Sequence, residues 1–513
     1  MIHSEDFYAL IRSLSRAEKK HFKLFASKHV VGEKNNSLKL FEAIEKQDVP
    51  DEDKIRRLFK GEKFIQHLPI VKNYLYNLIL DSLQIYHQDL SPDLELKKML
   101  GQVEVLYYKG LYNNCEDLLK KIEERATELE KFESASEVHV WRRRIMLNSA
   151  FAGSTERSVF LSFQTSDSIK RKIINRDEMD KLRVQLSFLT STIGRCRSRE
   201  QKEKYDSILK HFFLTGEGDA TCFFSKEMFN WLHMTYHFYV TDNRRKVFEY
   251  AQRRLQVFEN DPERISQAPD RYISALQDFL VPCQQLKMYS TIRNGIEKMR
   301  KLDVLLGSGI NPMLRTRLFH LSYGTELGLY VDLGDFHKIS EVASNIEQGI
   351  EEYRDRINNR ALFLLCYNVA YLYFGIGEYK KAVHWLNKIL NSTQDIREEY
   401  VCVSKILNLI IYYEQEDILL PHVVVSTYRY LIKRNRKYRS ESVLIDYLRK
   451  LSTLLSREKE VVLFKKMRSE LLVFVRDPFE KALFEYFDII SWLDSKIEKR
   501  SFAEIVKEKV QKK

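Results

Sequence analysis

The stretch YNVAYLYFGIGEYKKAVHWLNKIL, residues 367–390, constrains the fold more than any other part of the chain. Small residues at Ala370 and Ala382, aromatics at Tyr373 and Tyr379, and glycine at Gly377 are spaced for two helices crossing closely around one tight turn. The same pattern returns with drift. Around Gly110, Val103 and Leu106 precede a turn, while Cys115, Leu119 and Ile122 follow it. Around Lys287, Leu276, Leu280 and Cys283 precede, and Tyr289, Ile292 and Ile296 follow; Pro282 is expected to kink the first helix. Around Gly334, Leu327 and Tyr330 precede, and Phe336, Ile339 and Ala343 follow.

With 9 Pro and 17 Gly in 513 residues, the chain lacks the turn punctuation that a many-stranded sandwich or barrel needs, so composition points to an all-α protein. A hydrophobic fraction of 44% excludes disorder as the general state. The best apolar run, VCVSKILNLIIYY at 401–413, carries Lys405 and is too short to span a bilayer. The N-terminus places Glu5 and Asp6 where a secretory signal would carry positive charge. Six scattered cysteines form no CxxC pair, and the expected location is cytoplasmic. A net charge of +12 is spread over Arg142 to Arg144, KRKIINR from Lys170, RCRSR from Arg195 and KRNRKYR from Lys433, which reads as solvated helix faces rather than one basic stripe.

Three regions follow: an N-terminal helical domain at 1–92, a repeat array at 93–440 and a C-terminal helical cap at 441–513. In the first, Ser15 and Glu18 fit a capping box. Helices are expected at 37–47 and 51–60, then in LPIVKNYLYNLILDSLQIYHQ, with Val71, Tyr74, Leu75, Leu78, Ile79, Leu83 and Tyr86 inward. Weak copies of the hairpin are expected at 178–196 with 200–213, and at 225–241 with 244–259. Loops are expected at 151–158, 215–219 and 305–312. The cap should comprise helices at 441–455, 459–475, 478–496 and 501–511 that cover the last hairpin's apolar face, with Asp477 before Pro478 starting the third.

Ala370, Tyr373, Gly377, Tyr379 and Ala382, with the weaker copies, resemble the tetratricopeptide-repeat family over about residues 93–430. The turns at Lys287, Gly334 and Gly377 lie 47 and 43 residues apart, against a usual period of about 34, so lengthened helices or loops are expected. The resemblance implies a right-handed α-solenoid whose concave face grips a ligand through first-helix side chains. Carried over, those positions are Leu364, Tyr367, Tyr371 and Phe374 in the best copy, Gln277, Gln284 and Gln285 around Lys287, and Asp332 with Gly328 around Gly334. Tyrosine offers apolar area with a polar tip, and glutamine pairs with an extended backbone. Packing on the next repeat is the competing use of the aromatics. The lysine and asparagine clamp some members use on C-terminal carboxylates is absent, since Tyr367 and Tyr371 stand there.

Other chemistry is poorly supported. His233 and His237 stand four apart on an expected helix, but Met234 occupies the place where a metalloprotease needs glutamate, and flanking Trp231, Tyr236 and Phe238 read as an aromatic face. Gly307 and Gly309 lack the rest of a phosphate loop, and no nucleophile elbow occurs. The reading is a non-catalytic scaffold for a protein or peptide partner, with no cofactor or metal, no membrane and nucleic acid disfavoured. The alternative is a transcriptional regulator whose N-terminal helices read DNA while the repeats sense a peptide. Against it, the first 100 residues are close to charge-neutral.

Overall fold

A computed structural model describes residues 4–28, 36–47, 51–87, 92–196, 198–211, 214, 216, 220–307, 311–354, 356–391, 398–433, 438–453, 457–477, 480 and 482–512. Among them all regular structure is helical. No helix among them is long and apolar enough to cross a membrane. The chain divides into two compact units, Met1–Leu182 with Phe212–Ser225, and Arg183–His211 with Lys226–Lys513.

In the first unit the helices Ser4–Ser13, Arg16–Lys28, Asn36–Glu45, Glu52–Leu58 and Leu68–His87 enclose a core containing Phe22, Phe41, Leu75 and Ile79. The Ser15 backbone N–H donates to Glu18 Oε2 at 2.7 Å and Glu18 N–H donates to Ser15 Oγ at 3.3 Å, so the expected capping box forms. Tyr74, expected inside, is exposed; the seat it would share is held by Leu75 and Leu78. A second core joins Pro92–Tyr108, Tyr112–Glu128 and Phe132–Asn148 through Leu96, Val103, Cys115, Leu119 and Trp141. The helix expected from 178 begins instead at Glu156 and runs to Thr192, because no glycine or proline interrupts it. The 151–158 loop is accordingly shorter. Of the 215–219 loop only residue 216 lies among the described residues.

In the second unit the first and second helices of each anticipated pair are Pro269–Gln285 with Tyr289–Leu306, Pro312–Leu333 with Ile339–Glu352, and Asn359–Gly375 with Tyr379–Leu390. One turn recurs. At Gly377 (φ +80°) the next N–H, of Glu378, donates to the Tyr373 carbonyl at 2.9 Å. The same closure joins Asp335 to Tyr330 after Gly334, Met288 to Cys283 after Lys287, and Leu111 to Leu106 after Gly110. This satisfies carbonyls that a helix end would otherwise leave unpaired. Pro282 lies inside its helix, which runs on to Gln285. Pro312–Leu333 packs against both Pro269–Gln285 and Asn359–Gly375, so three first helices stand side by side.

The C-terminal end differs from expectation. The predicted 478–496 helix is two helices, Ala482–Tyr486 and Ile489–Glu498, and the second starts at Asp488, whose carboxylate accepts the Ser491 N–H at 2.9 Å. Pro478 lies outside the described residues. Phe502–Gln511 then packs on Pro312–Leu333, well back along the chain from the last hairpin. Trp492 is buried, and its Nε1–H donates to Glu414 Oε1 at 2.6 Å; Glu414 also accepts from the Tyr379 hydroxyl at 3.1 Å.

Candidate functional site

A cleft of about 1210 Å³ lies wholly in the second unit. One wall is the shared face of the three first helices; the other is residues 484–488 and the Phe502–Gln511 helix. Of the six residues predicted to bind a partner, Gln277, Gln284, Asp332 and Tyr371 line it. Gln284 Nε2 donates to Asp332 Oδ2 at 2.9 Å, crossing Gly328, where an added Cβ would stand 3.1 Å from that nitrogen. Glycine at 328 thus lets the amide reach the carboxylate. Burial pushes the Asp332 carboxyl above its ordinary range, and the Gln284 bond opposes this.

The aromatics take the competing use. Tyr367, Tyr371 and Phe374 are buried, and the chain's own C-terminal residues cover them. The Asp488 backbone N–H donates to the Tyr371 hydroxyl at 3.0 Å. Phe487 packs on Tyr371 at 4.9 Å and Phe374 at 5.2 Å between ring centres, Phe502 lies 5.4 Å from Phe374, and Tyr486 lies 6.2 Å from Tyr367. Burial of that kind pushes both tyrosine hydroxyls far above their ordinary pKa. These three residues therefore seat residues 486–488 and Phe502, and the open part of the cleft mixes polar side chains with the exposed Val281, Met313 and Leu364.

Several lining residues were missed from sequence. Stepping back from Gly328 in threes and fours along Pro312–Leu333 gives Gly324, Leu321 with His320, Arg317 and Met313, all on the wall. The spacing that located Gly328 would have found them. Arg356 and Arg360 flank Asn358, whose side chain accepts the Ala361 N–H at 2.9 Å and caps the third first helix. Arg317 donates to the Asp270 carbonyl at 3.3 Å, and burial followed by the Arg317 charge pushes His320 down to about 4, leaving it neutral. Among the described residues, none of Arg317, Arg356 and Arg360 is ion-paired. Arg254 is the contrast: it is buried and bonded to Glu227, at 2.7 Å from Nε, and to Asp278.

The remaining sequence candidates have structural occupations. His233 and His237 both stack on Tyr250, at 4.8 and 5.7 Å, and His237 Nδ1 lies 3.1 Å from Thr241 Oγ1. Among the basic segments, Arg142 pairs with Glu116 and Glu123, Arg176 with Glu133, and Arg195 with Asp242, which lowers the free positive charge each offers a phosphate. Residues 434–437 of the last segment lie outside the described residues. Burial holds the Cys283 thiol at about 11 and Cys366 at about 12, far from thiolate reactivity at neutral pH.

No family model matches the chain, and neither does any curated protein or solved structure.

Proposed function

We propose that the chain is a non-catalytic scaffold that holds a protein or peptide segment on the concave face of a solenoid of tetratricopeptide-like hairpins. The observation that carries this reading is the cleft itself: equivalent faces of three successive first helices contribute Gln277, Gln284, Asp332 and Leu364 to one wall. At about 1210 Å³ it exceeds the roughly 300–1,000 Å³ usual for small-molecule pockets. Side-chain amides at Gln277, Gln284 and Asn368 offer both donors and acceptors, which suits the alternating groups of an extended backbone. Tyr367, Tyr371 and Phe374 act through the C-terminal residues they hold.

A photo-crosslinking residue placed at Gln277 tests this. It should yield adducts with a defined segment of one partner, distinct from those formed at Arg199, which is highly exposed and outside the cleft. In binding of the purified partner segment, Gln284→Ala and Asp332→Ala should each weaken affinity by about fivefold to tenfold. Identical adducts at Gln277 and Arg199 would sink the reading.

A further inference from the structure

The peptide reading leaves open which side chains the cleft selects, and the distribution of charge along it answers that question. Resting on that reading, we infer that the cleft binds a peptide segment through internal Asp or Glu side chains flanked by apolar residues, at the end formed by Arg317, Arg356 and Arg360. Nearly every other arginine of this region is engaged: Arg254 and Arg271 with Glu227, Arg300 with Glu326, Arg315 with Asp303. Arg317, Arg356 and Arg360 have no ion-pair partner among the described residues and share one cleft, with Asp270 and Asp278 acting on Arg317 from beyond ion-pair distance. Guanidinium forks accept carboxylates in bidentate geometry, and a half-buried Arg317 loses less to solvent screening than a free surface arginine.

Local structure adds to the same end. The helices Pro312–Leu333 and Asn359–Gly375 both begin there, capped by Asn311 and Asn358, and each contributes the positive end of its dipole. Met313 and Leu364 are exposed on the wall beside the arginines, so the ligand should carry apolar side chains next to its carboxylates. His320, held neutral, adds no charge at physiological pH.

The overall balance sets the class of anion. Lys287 and Lys509 bring the cations lining the cleft to five, against the carboxylates of Asp270, Asp332, Glu485 and Asp488. Lys509 is further engaged by Ser491 at 2.5 Å and by Asp494 at 3.6 Å. A nucleic-acid backbone would meet all of those carboxylates along the wall, whereas one or two carboxylates docked on Arg356 and Arg360 would meet chiefly Asp270, which stands beside Arg317. The opposite end, with Asp332, favours donors from the peptide.

The test is calorimetric titration of the full chain with three pools of peptides of about twelve residues, acetylated and C-terminally amidated, degenerate at apolar positions. Alternate fixed positions carry Glu, Gln or Lys. The Glu pool should bind about tenfold tighter than the Gln pool, and weaken as salt rises. The double variant R356E/R360E should lose that preference, while R199E should keep it. R317Q, checked for folding by circular dichroism, should show an intermediate loss. Equal affinity of the Glu and Gln pools, or an R356E/R360E protein that still prefers Glu, overturns the inference and leaves the peptide-binding reading standing. No binding by any pool overturns the inference, and the Gln277 crosslinking result then decides the reading beneath it.

Discussion

Two neighbouring first helices, Asn359–Gly375 and Pro312–Leu333, have opposite fates on the same wall. From Leu365 to Gly375 every residue of the first except Asn368 is buried, whereas the second leaves Gly324, Thr325, Gly328 and Asp332 partly open to the cleft. The difference follows from side-chain type. Each aromatic ring that leaves water contributes on the order of 150–250 Å² of burial at roughly 25 cal/mol per Å², so a face bearing Phe363, Tyr367, Tyr371 and Phe374 rewards any segment able to cover it. Residues 484–488 and Phe502 provide that cover. Glycine, threonine and carboxylate offer little such return, and their half of the wall stays open. An aromatic stripe therefore marks where the chain closes on itself, and the face beside it, poor in aromatics, stays open.

Removing the cover is the strongest way to break this contrast. Phe487→Ala takes a buried ring from between Tyr371 and Phe374 and should cost about 3–5 kcal/mol in urea unfolding. Leu364→Ala, on the open wall, should cost less than about 1 kcal/mol. Equal losses at the two positions would mean that the halves are not energetically distinct.

The next effect is a pH dependence centred on the open half. His320 titrates near 4 in the fold, below the 6.5 of a free imidazole, because burial and Arg317 disfavour the charged ring. The unfolded chain then binds a proton that the folded chain refuses, so this contribution is fully present above pH 6.5 and is lost as pH falls toward 4. The loss should reach about 2–3 kcal/mol at pH 4. His320→Gln should flatten the stability profile across that window, and an unchanged slope would rule His320 out as its source.

Glycines sharpen the packed half. An added Cβ at Gly375 would stand 2.3 Å from the Phe336 ring, so Gly375→Ala should cost about 1–3 kcal/mol through overpacking. At Gly377 nothing lies within 4 Å, and the cost of Gly377→Ala, about 1 kcal/mol, comes from its φ of +80° alone. Unfolding midpoints in this order support close approach at 375 and a left-handed turn at 377; the reverse order would exchange those roles.

The all-helical class and the four turns at 110, 287, 334 and 377 were legible because small and aromatic residues flank each bend in a constant order. The same left-handed closure also occurs after Glu130 and Glu416, where Lys131 donates to Ala126 and Asp417 to Tyr412. Both lack the glycine that marks the bends at 110, 334 and 377. The polar half of the site was legible through Gln277, Gln284 and Asp332, whose positions follow from the turn register. That Tyr367, Tyr371 and Phe374 would be covered was not, since the covering residues lie more than a hundred positions away and periodicity carries no information on what a face meets. Asp488 as a helix start was also hidden, behind a continuous apolar pattern from Leu483 to Leu493.

The smallest predicted effect tests the open half most finely. Gly328→Ala would bring a Cβ to 3.1 Å from Gln284 Nε2, the far end of a flexible side chain that can yield by a few tenths of an ångström. Alanine also gains about 0.8–1 kcal/mol over glycine inside a helix, so stability should stay within about 1 kcal/mol of the parent, with either sign allowed by the compensation. What should change is the Gln284 to Asp332 bond. Weakening it removes the interaction that opposes burial, and the Asp332 carboxyl should titrate still higher, visible in its carbon-13 shift. Gln284→Ala should move the same resonance in the same direction without any change at position 328. If Gly328→Ala leaves the Asp332 titration in place while Gln284→Ala raises it, the amide has kept its bond, and glycine at 328 is not what allows it to cross.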